Sequence, residues 1–155
     1  MAKTFKTAKK FAPLPKEKRY TLQTTPQNEV IIAPYNAKNI YMVQFHNENK
    51  EWNPNDAAKI SLFNEYFGGG MNAIVFQEMR EARALAYTAS ASYHMPNRLG
   101  DKDYFNTFII TQNDKMMDCI AQFNELLNNM PVRLANFDLA KQNLLKSLAS
   151  TRTTK

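Results

Sequence analysis

The sequence has little of several features that define common protein classes. A single cysteine, Cys119, cannot form an internal disulfide, and its apolar neighbours favour a small core residue over a nucleophile. No apolar run approaches the roughly 18 residues of a membrane span, and the N-terminal lysines lack a following apolar segment, so no signal peptide is visible. The compartment of a longer parent protein therefore stays open between cytoplasmic and periplasmic or secreted.

Histidine is also scarce, which limits metal chemistry. The chain has two, His46 and His94, and neither is followed by a histidine or cysteine at the third or fourth position. Because a zinc site needs three or four ligands close in space, we predict no metal site in this chain. The glycine run at residues 68–70 lacks the Gly-Lys-Ser/Thr ending of a phosphate-binding loop.

The charge of the chain is concentrated at one end. The net charge is +6, and residues 1–19 account for all of it with seven basic side chains against Glu17. Pro13 and Pro15 favour a leader or linker over residues 1–19, although a basic segment could also bind nucleic acid. We expect no nucleic-acid partner, because the remaining residues are neutral overall.

What is abundant is apolar character: 44% of the residues are hydrophobic and 12% aromatic, enough to bury a core. Residues 20–155 are predicted to form a single domain. Strand-like patterns cover Tyr20–Leu22, Glu29–Ile32 and Ile40–His46. A helix capped by Asn55 or Asp56 follows, and Gly68–Gly70 ends it; a second helix is predicted from about Met71 to Arg83.

The second half of the sequence predicts a hairpin and two more helices. The stretches "LAYTASASYHM" and "DYFNTFIITQ" flank a turn at Pro96–Gly100 and should pair as antiparallel strands. The first helix has an apolar face of Met116, Ile120, Phe123, Leu127 and Met130, and the second is capped near Asn136. Strands in hairpins with helices between them predict an α+β fold: an antiparallel β-sheet with helices packed on one face.

Residues 61–93, "SLFNEYFGGGMNAIVFQEMREARALAYTASASY", carry a family likeness. They resemble the second, non-zinc homologous domain of the pitrilysin/insulinase family of zinc metallopeptidases, in which a glycine-rich break precedes a Gln-Glu-x-Arg-Glu helix and a Gly-Leu-Ala-Tyr strand start. The chain has Gln77-Glu78-Met79-Arg80-Glu81 and then Ala84-Leu85-Ala86-Tyr87. It departs from the pattern at Ala84, where the family usually has glycine.

The resemblance implies a two-layer domain of the peptidase LuxS/MPP-like type and a division of labour. A separate zinc-bearing domain or subunit would hydrolyse the peptide bond, and this domain would enclose the peptide substrate. By position, Arg80 and Tyr87 would bind substrate and stabilise the oxyanion. The inverted zinc motif occurs nowhere in the sequence, so no catalysis is expected in isolation. We expect a partial domain, truncated at its C-terminal end.

Other interpretations stay open at this point. Arg80 could pair with Glu81 or Glu65 on a solvated helix face. Tyr87 could be a core residue, because it alternates with Leu85 and Ala89 on one predicted strand face. The whole chain could also be a structural or partner subunit of the same fold with no peptidase role.

Overall fold

A computed structural model describes residues 13–18, 20, 24–96, 98 and 100–151. Three antiparallel strands form the sheet in the order β1-β3-β2: β1 spans Asn39–Glu51, β2 spans Thr88–His94 and β3 spans Lys102–Gln112. The pairs Val43↔Phe108 and Ser90↔Phe108 place the middle strand in register with both edges. The predicted hairpin of β2 and β3 is confirmed, and the long strand β3 is the central strand of the sheet.

The two faces of the sheet differ in burial because residues along β3 alternate strictly. Every second residue from Asp103 to Thr111 is buried, and the residues between them are half-buried. The buried face carries Phe105 and Ile109 of β3 next to Ala89 and Ala91 of β2. Since successive side chains of a strand point to opposite faces, this alternation defines one face that is packed against helices and one that is open.

In the described part of the chain, three helical segments pack against the buried face of the sheet, and a fourth packs mainly against the first of them. Helix α1 spans Ala57–Phe67, α2 spans Ile74–Phe76 and continues as a π-helical turn over Gln77–Ala82, α3 spans Met116–Asn128 and α4 spans Leu134–Ser150. Short 3-10 turns at Pro54–Asp56 and Asn113–Lys115 precede α1 and α3. The core lies between these helices and the sheet, and its largest fully buried side chains are Phe67, Phe123, Ile74 and Met79. The α+β architecture predicted from the sequence is confirmed.

Several predicted elements differ from the observed ones. Glu29–Ile32 forms no strand, and the side chains of Val30, Ile31 and Ile32 are more than 80% exposed, because no strand of the described sheet lies beside them. Of the predicted first strand, Tyr20 is not in a strand, while residues 21 and 22 lie outside the described residues. The third predicted strand extends further than expected, to Glu51.

The observed helix ends also differ from the predicted ones. The second helix begins at Ile74 rather than Met71, which is 73% exposed in the turn before it. Asn53, not Asn55 or Asp56, provides a side-chain cap, by accepting from the N–H of Asn55. Helix α4 begins two residues before Asn136, whose side chain donates to the Asn72 carbonyl instead of capping. Among the described residues, no helix combines the length and apolar character that crossing a bilayer requires.

Candidate functional site

The two predicted site residues lie on either side of a corner that joins the second helix to β2. The helix ends as a π-helical turn over Gln77–Ala82, which contains Arg80. Ala84 then takes a left-handed conformation, with φ of 47°, and its N–H donates to the Arg80 carbonyl at 3.0 Å. This is the hydrogen bond of a left-handed helix C-terminus, a position that glycine usually occupies. The corner therefore requires the conformation that the Gly-Leu-Ala-Tyr pattern predicts, and an alanine adopts it here.

The corner is held by the end of β3 and the start of α3. The Leu85 carbonyl accepts from the Thr111 hydroxyl and from the Cys119 thiol, and the Ala84 carbonyl accepts from Lys115 Nζ at 3.1 Å. The N–H of Tyr87 donates to the Ile110 carbonyl at 2.9 Å. These bonds satisfy the carbonyls of Ala84 and Leu85, which lie between the helix and β2. They also link residues 84–87 directly to residues 110–119.

Tyr87 lies at the surface, with 53% of its area exposed. The alternation that would have placed it beside Ala89 in the core breaks just before β2, so that Ala86 is buried and Tyr87 points outward. Its hydroxyl oxygen accepts a hydrogen bond from Gln112 Nε2 at 2.8 Å. The interpretation of Tyr87 as a core residue is therefore wrong, and its phenol is open to a ligand.

Arg80 is also open to solvent. About half of its side chain is exposed, and Nε lies 3.8 Å from the Glu81 carboxylate, which is itself half-exposed. Its guanidinium lies over the Phe76 ring, 5.0 Å from the centroid. An exposed ion pair of this kind contributes at most about 1 kcal/mol. The pairing with Glu81, the alternative interpretation of Arg80, is therefore observed, and it is weak enough for a ligand carboxylate to replace it.

Glu78, one turn before Arg83, fixes the same helix to α4. Its side chain is largely buried and forms ion pairs with Arg83 and Arg133, the latter also through a direct hydrogen bond to the carboxylate. An ionised carboxylate is costly to bury unless it is paired, which explains the two guanidinium partners. Glu78 belongs to the Gln-Glu-x-Arg-Glu motif, but nothing in the sequence indicated that Arg133 would reach it.

The three glycines precede this helix and approach β2. A Cβ built on Gly68 would lie 2.0 Å from the Ala91 carbonyl oxygen, whereas one built on Gly70 would meet nothing within 4 Å. Neither residue has a positive φ. Gly68 is therefore needed for the close approach of two backbones, whereas Gly70 is not.

An open groove of about 440 Å³ lies between the glycine turn and the open face of the sheet. Its walls include Met71 and Phe76 on one side and Ser90, Ser92 and Phe108 on the other. Phe76 also lies under the Arg80 guanidinium, so one residue of the groove contacts Arg80, although Arg80 does not line the groove.

Neither histidine takes part in this site. His94 bonds to Asn106 at 2.7 Å and stacks on Tyr104, and His46 lies near Phe105. The part of the chain that the structure describes holds no group of three His, Cys, Asp or Glu side chains able to bind a metal ion. The side chains in these described ranges therefore do not fit a zinc ion. Cys119 is fully buried and free, and burial raises the pKa of its thiol, so the core interpretation is confirmed.

Comparison with known proteins identifies the family of the chain. The family model of the peptidase M16 inactive domain matches residues 1–144. The chain belongs to this family. The assignment to a non-catalytic peptidase domain, made from residues 61–93, is confirmed. No curated protein matches the chain.

A solved structure similar to this M16 domain is the crystal structure of a peptidase M16 inactive domain from Pseudomonas fluorescens. The two share 24% sequence identity with a TM-score of 0.54, over 73% of this chain and 27% of that chain. At this level of identity the likeness shows the fold. The M16 domain thus spans about a quarter of the length of the structure that it matches.

Proposed function

We propose that this M16 domain binds part of a peptide substrate and completes the active site of a separate zinc-bearing domain. The observation that supports this most is the exposure of Arg80 and Tyr87 on the two sides of one rigid corner. Exposure leaves the guanidinium and the phenol accessible to a ligand, and the corner places both groups on neighbouring elements.

Arg80 is suited to a carbonyl or carboxylate of the peptide. A guanidinium is always charged and offers several donors in a planar fork. Its present partner, Glu81, is exposed and 3.8 Å away, so the pair costs little to separate. Phe76 supports the guanidinium from below, at 5.0 Å, next to the groove that the glycine turn borders. We therefore assign Arg80 to peptide binding.

Tyr87 is suited to the oxygen that becomes negatively charged when a peptide bond is attacked. A phenol can donate one hydrogen bond, and donors aimed at such an oxygen stabilise the transition state more than the substrate. Its hydroxyl is exposed and already accepts from Gln112, so its proton is the group left to offer. The metal and its partner domain are part of this proposal, since the described residues of this chain fit no metal ion.

Reconstitution with a zinc-bearing M16 domain tests the proposal. We expect the chain alone to hydrolyse no peptide in the presence of zinc, and the mixture to hydrolyse a peptide library. In the mixture, Tyr87→Phe should lower kcat by roughly 100-fold, the usual effect of losing one oxyanion donor. Arg80→Ala should raise KM, because the guanidinium is proposed to bind the peptide in the ground state as well as in the transition state.

Matched controls are available elsewhere on the surface. Tyr35→Phe and Arg98→Ala change exposed residues of the same types and should leave both kinetic constants unchanged. Restored hydrolysis that Arg80→Ala and Tyr87→Phe leave intact would favour the alternative, a structural or partner subunit without a role in the chemistry. Zinc-dependent hydrolysis by the pure chain would contradict the division of labour itself.

A further inference from the structure

A tyrosine hydroxyl can donate or accept a hydrogen bond, and its neighbours decide which it does. The hydroxyl oxygen of Tyr87 lies 2.8 Å from Gln112 Nε2, a nitrogen that can only donate. The oxygen is therefore the acceptor in this contact. Its own proton is left for another group.

We infer that Gln112 is a positioning residue that commits the Tyr87 hydroxyl to donating. By occupying a lone pair on the oxygen, the amide makes it unfavourable for the phenol to accept from a substrate N–H or from water on that side. The inference rests on the proposed function, because a committed donor matters only where an oxyanion forms. Gln112 would touch neither the peptide nor the reacting atoms and would act through Tyr87.

The backbone explains why this contact is held in place. Gln112 is the last residue of β3, and its neighbour Thr111 is buried and donates to the Leu85 carbonyl. Ile110 accepts from the N–H of Tyr87. The Thr111 hydroxyl and the Ile110 carbonyl thus join the residues on both sides of the contact. Forming the side-chain bond therefore requires only the ordering of the glutamine and the phenol.

The nearest lysine of the same segment does not compete for the phenol. Lys115 donates to the Ala84 carbonyl at 3.1 Å. A cation at this position also interacts favourably with the C-terminal end of the helix dipole. The positive charge is used to fix the corner, and the neutral amide of Gln112 is used at the hydroxyl. A neutral donor orients the phenol without adding a charge next to it.

The substitution Gln112→Met tests the inference, since methionine has similar length but no N–H donor. In the reconstituted enzyme, kcat should fall by roughly three- to tenfold, the range expected from one hydrogen bond, with KM unchanged. In the Tyr87→Phe background the same substitution should have no further effect. Gln27→Met, at an exposed position outside this corner, serves as the control.

A second measurement uses the isolated full chain and needs no activity. With ¹³C-labelled tyrosine, NMR relaxation should show a more mobile Tyr87 ring in Gln112→Met, while the melting temperature stays within about 1 °C because Gln112 is exposed. A variant with an unchanged ring and unchanged kcat would overturn the inference. So would a loss of kcat that persists in the Tyr87→Phe background.

The outcomes separate the inference from the proposed function. If Tyr87→Phe lowers kcat but Gln112→Met does not, the proposed function stands and the positioning role of Gln112 is wrong. If Tyr87→Phe itself has no effect on kcat, both fail.

Discussion

Ala84 adopts a backbone conformation that is unfavourable for an alanine. Its φ of 47° lies in the left-handed region, where the Cβ of an L-residue approaches the following carbonyl at a cost of about 1–2 kcal/mol. The bonds from Lys115, Thr111 and Cys119 to residues 84 and 85 hold it there. The strain lies between the two proposed substrate-binding residues.

Replacing Ala84 with glycine should therefore stabilise the domain. Glycine loses up to about 1 kcal/mol through the greater entropy of its unfolded state, so the net gain should be about 0.5–1 kcal/mol. For a chain of this length that corresponds to an increase in melting temperature of roughly 2–3 °C. Thermal unfolding followed by circular dichroism measures it.

The neighbouring Ala86 provides the control for that experiment. It is buried and does not have a positive φ, so Ala86→Gly should lower the melting temperature. An equal decrease for both glycine variants would show that the left-handed turn is not strained.

Asp103 is a second residue with an unusual environment. It is fully buried on the helix-facing side of β3, and neither carboxylate oxygen has a hydrogen-bond partner among the described residues. Burial, the largest cause, raises the pKa of this carboxyl above its ordinary value of 3.8, against the attraction of Lys50. The negative charges of Asp56 and Glu48 raise the pKa of Asp103 further, and the Tyr93 hydroxyl lowers it.

This raised pKa predicts how the stability depends on pH. The folded state binds the proton more tightly than the unfolded state, so the contribution of Asp103 is lost as pH rises from about 3.8 through the folded pKa. Asp103→Asn removes the charge without changing the shape. We expect the variant to match the wild type near pH 4 and to be more stable than the wild type at pH 7.

Urea unfolding between pH 4 and pH 8 measures this difference. Asp56 is the comparison, because Lys59 and Lys50 lower the pKa of that carboxyl, so its contribution to stability stays nearly constant across this range and is lost only as pH falls below about 3.8. Stability curves for wild type and Asp103→Asn that run parallel across this range would contradict the raised pKa.

At the scale of elements, helix α1 is attached to the edge strand β2 by an unusual contact. The Asn64 amide donates to the Tyr93 carbonyl at 2.9 Å and accepts from the Tyr93 N–H at 2.7 Å, so it pairs with the edge of β2 as a strand would. One turn further, Gly68 lies against the Ala91 carbonyl. The end of α1 thus covers an edge that would otherwise present free backbone groups.

Substitutions in the glycine turn should therefore have very different effects. In Gly68→Ala the new Cβ would lie 2.0 Å from the Ala91 carbonyl oxygen, so helix and strand must separate; we expect a loss of about 3 kcal/mol. In Gly70→Ala nothing lies within 4 Å of the new atom, and the change should stay within about 0.5 kcal/mol. Urea unfolding compares the two, and similar losses for both would contradict the role of close approach.

The helices were predicted well where one face is buried and less well elsewhere. On α3 the buried side chains are Met116, Cys119, Phe123 and Leu126. The pattern had instead placed Leu127 and Met130 on the face, and these are about 40% exposed. Both sets fit a helical period, and only the position of the sheet selects between them. The π-helical turn was not predicted, because its wider hydrogen bonding leaves no pattern in the sequence.

At the scale of the whole molecule, the helices cover one face of the sheet and leave apolar groups on the other. Tyr41 packs against Phe108 and Phe45 against Tyr104 on the open face, and Tyr41 is 64% exposed. An extended apolar strand pattern therefore did not mean burial on both sides. Glu29–Ile32 is the clearest example: its composition favours a strand, but strand formation requires a neighbouring strand to pair with.

The residues of the candidate site were likewise only partly predictable from the sequence. Arg80 and Tyr87 were identified from a local pattern of residues, which short motifs can carry. Gln112, Lys115 and Arg133 were not, because their contacts with the corner and its helix cross 25, 31 and 55 positions of sequence. Whether the phenol was buried or exposed could not be read from alternation, since the strand begins only after Tyr87.

Local periodicity in the sequence predicted the α+β class, the hairpin and the helices, and the resemblance of residues 61–93 supplied the family and the two residues that we propose to bind substrate. Which apolar segments are covered, why Gly68 must lack a side chain and which way Tyr87 faces became evident only from the fold. Each of these depends on what lies across a gap of a few ångströms from a residue that is distant in sequence.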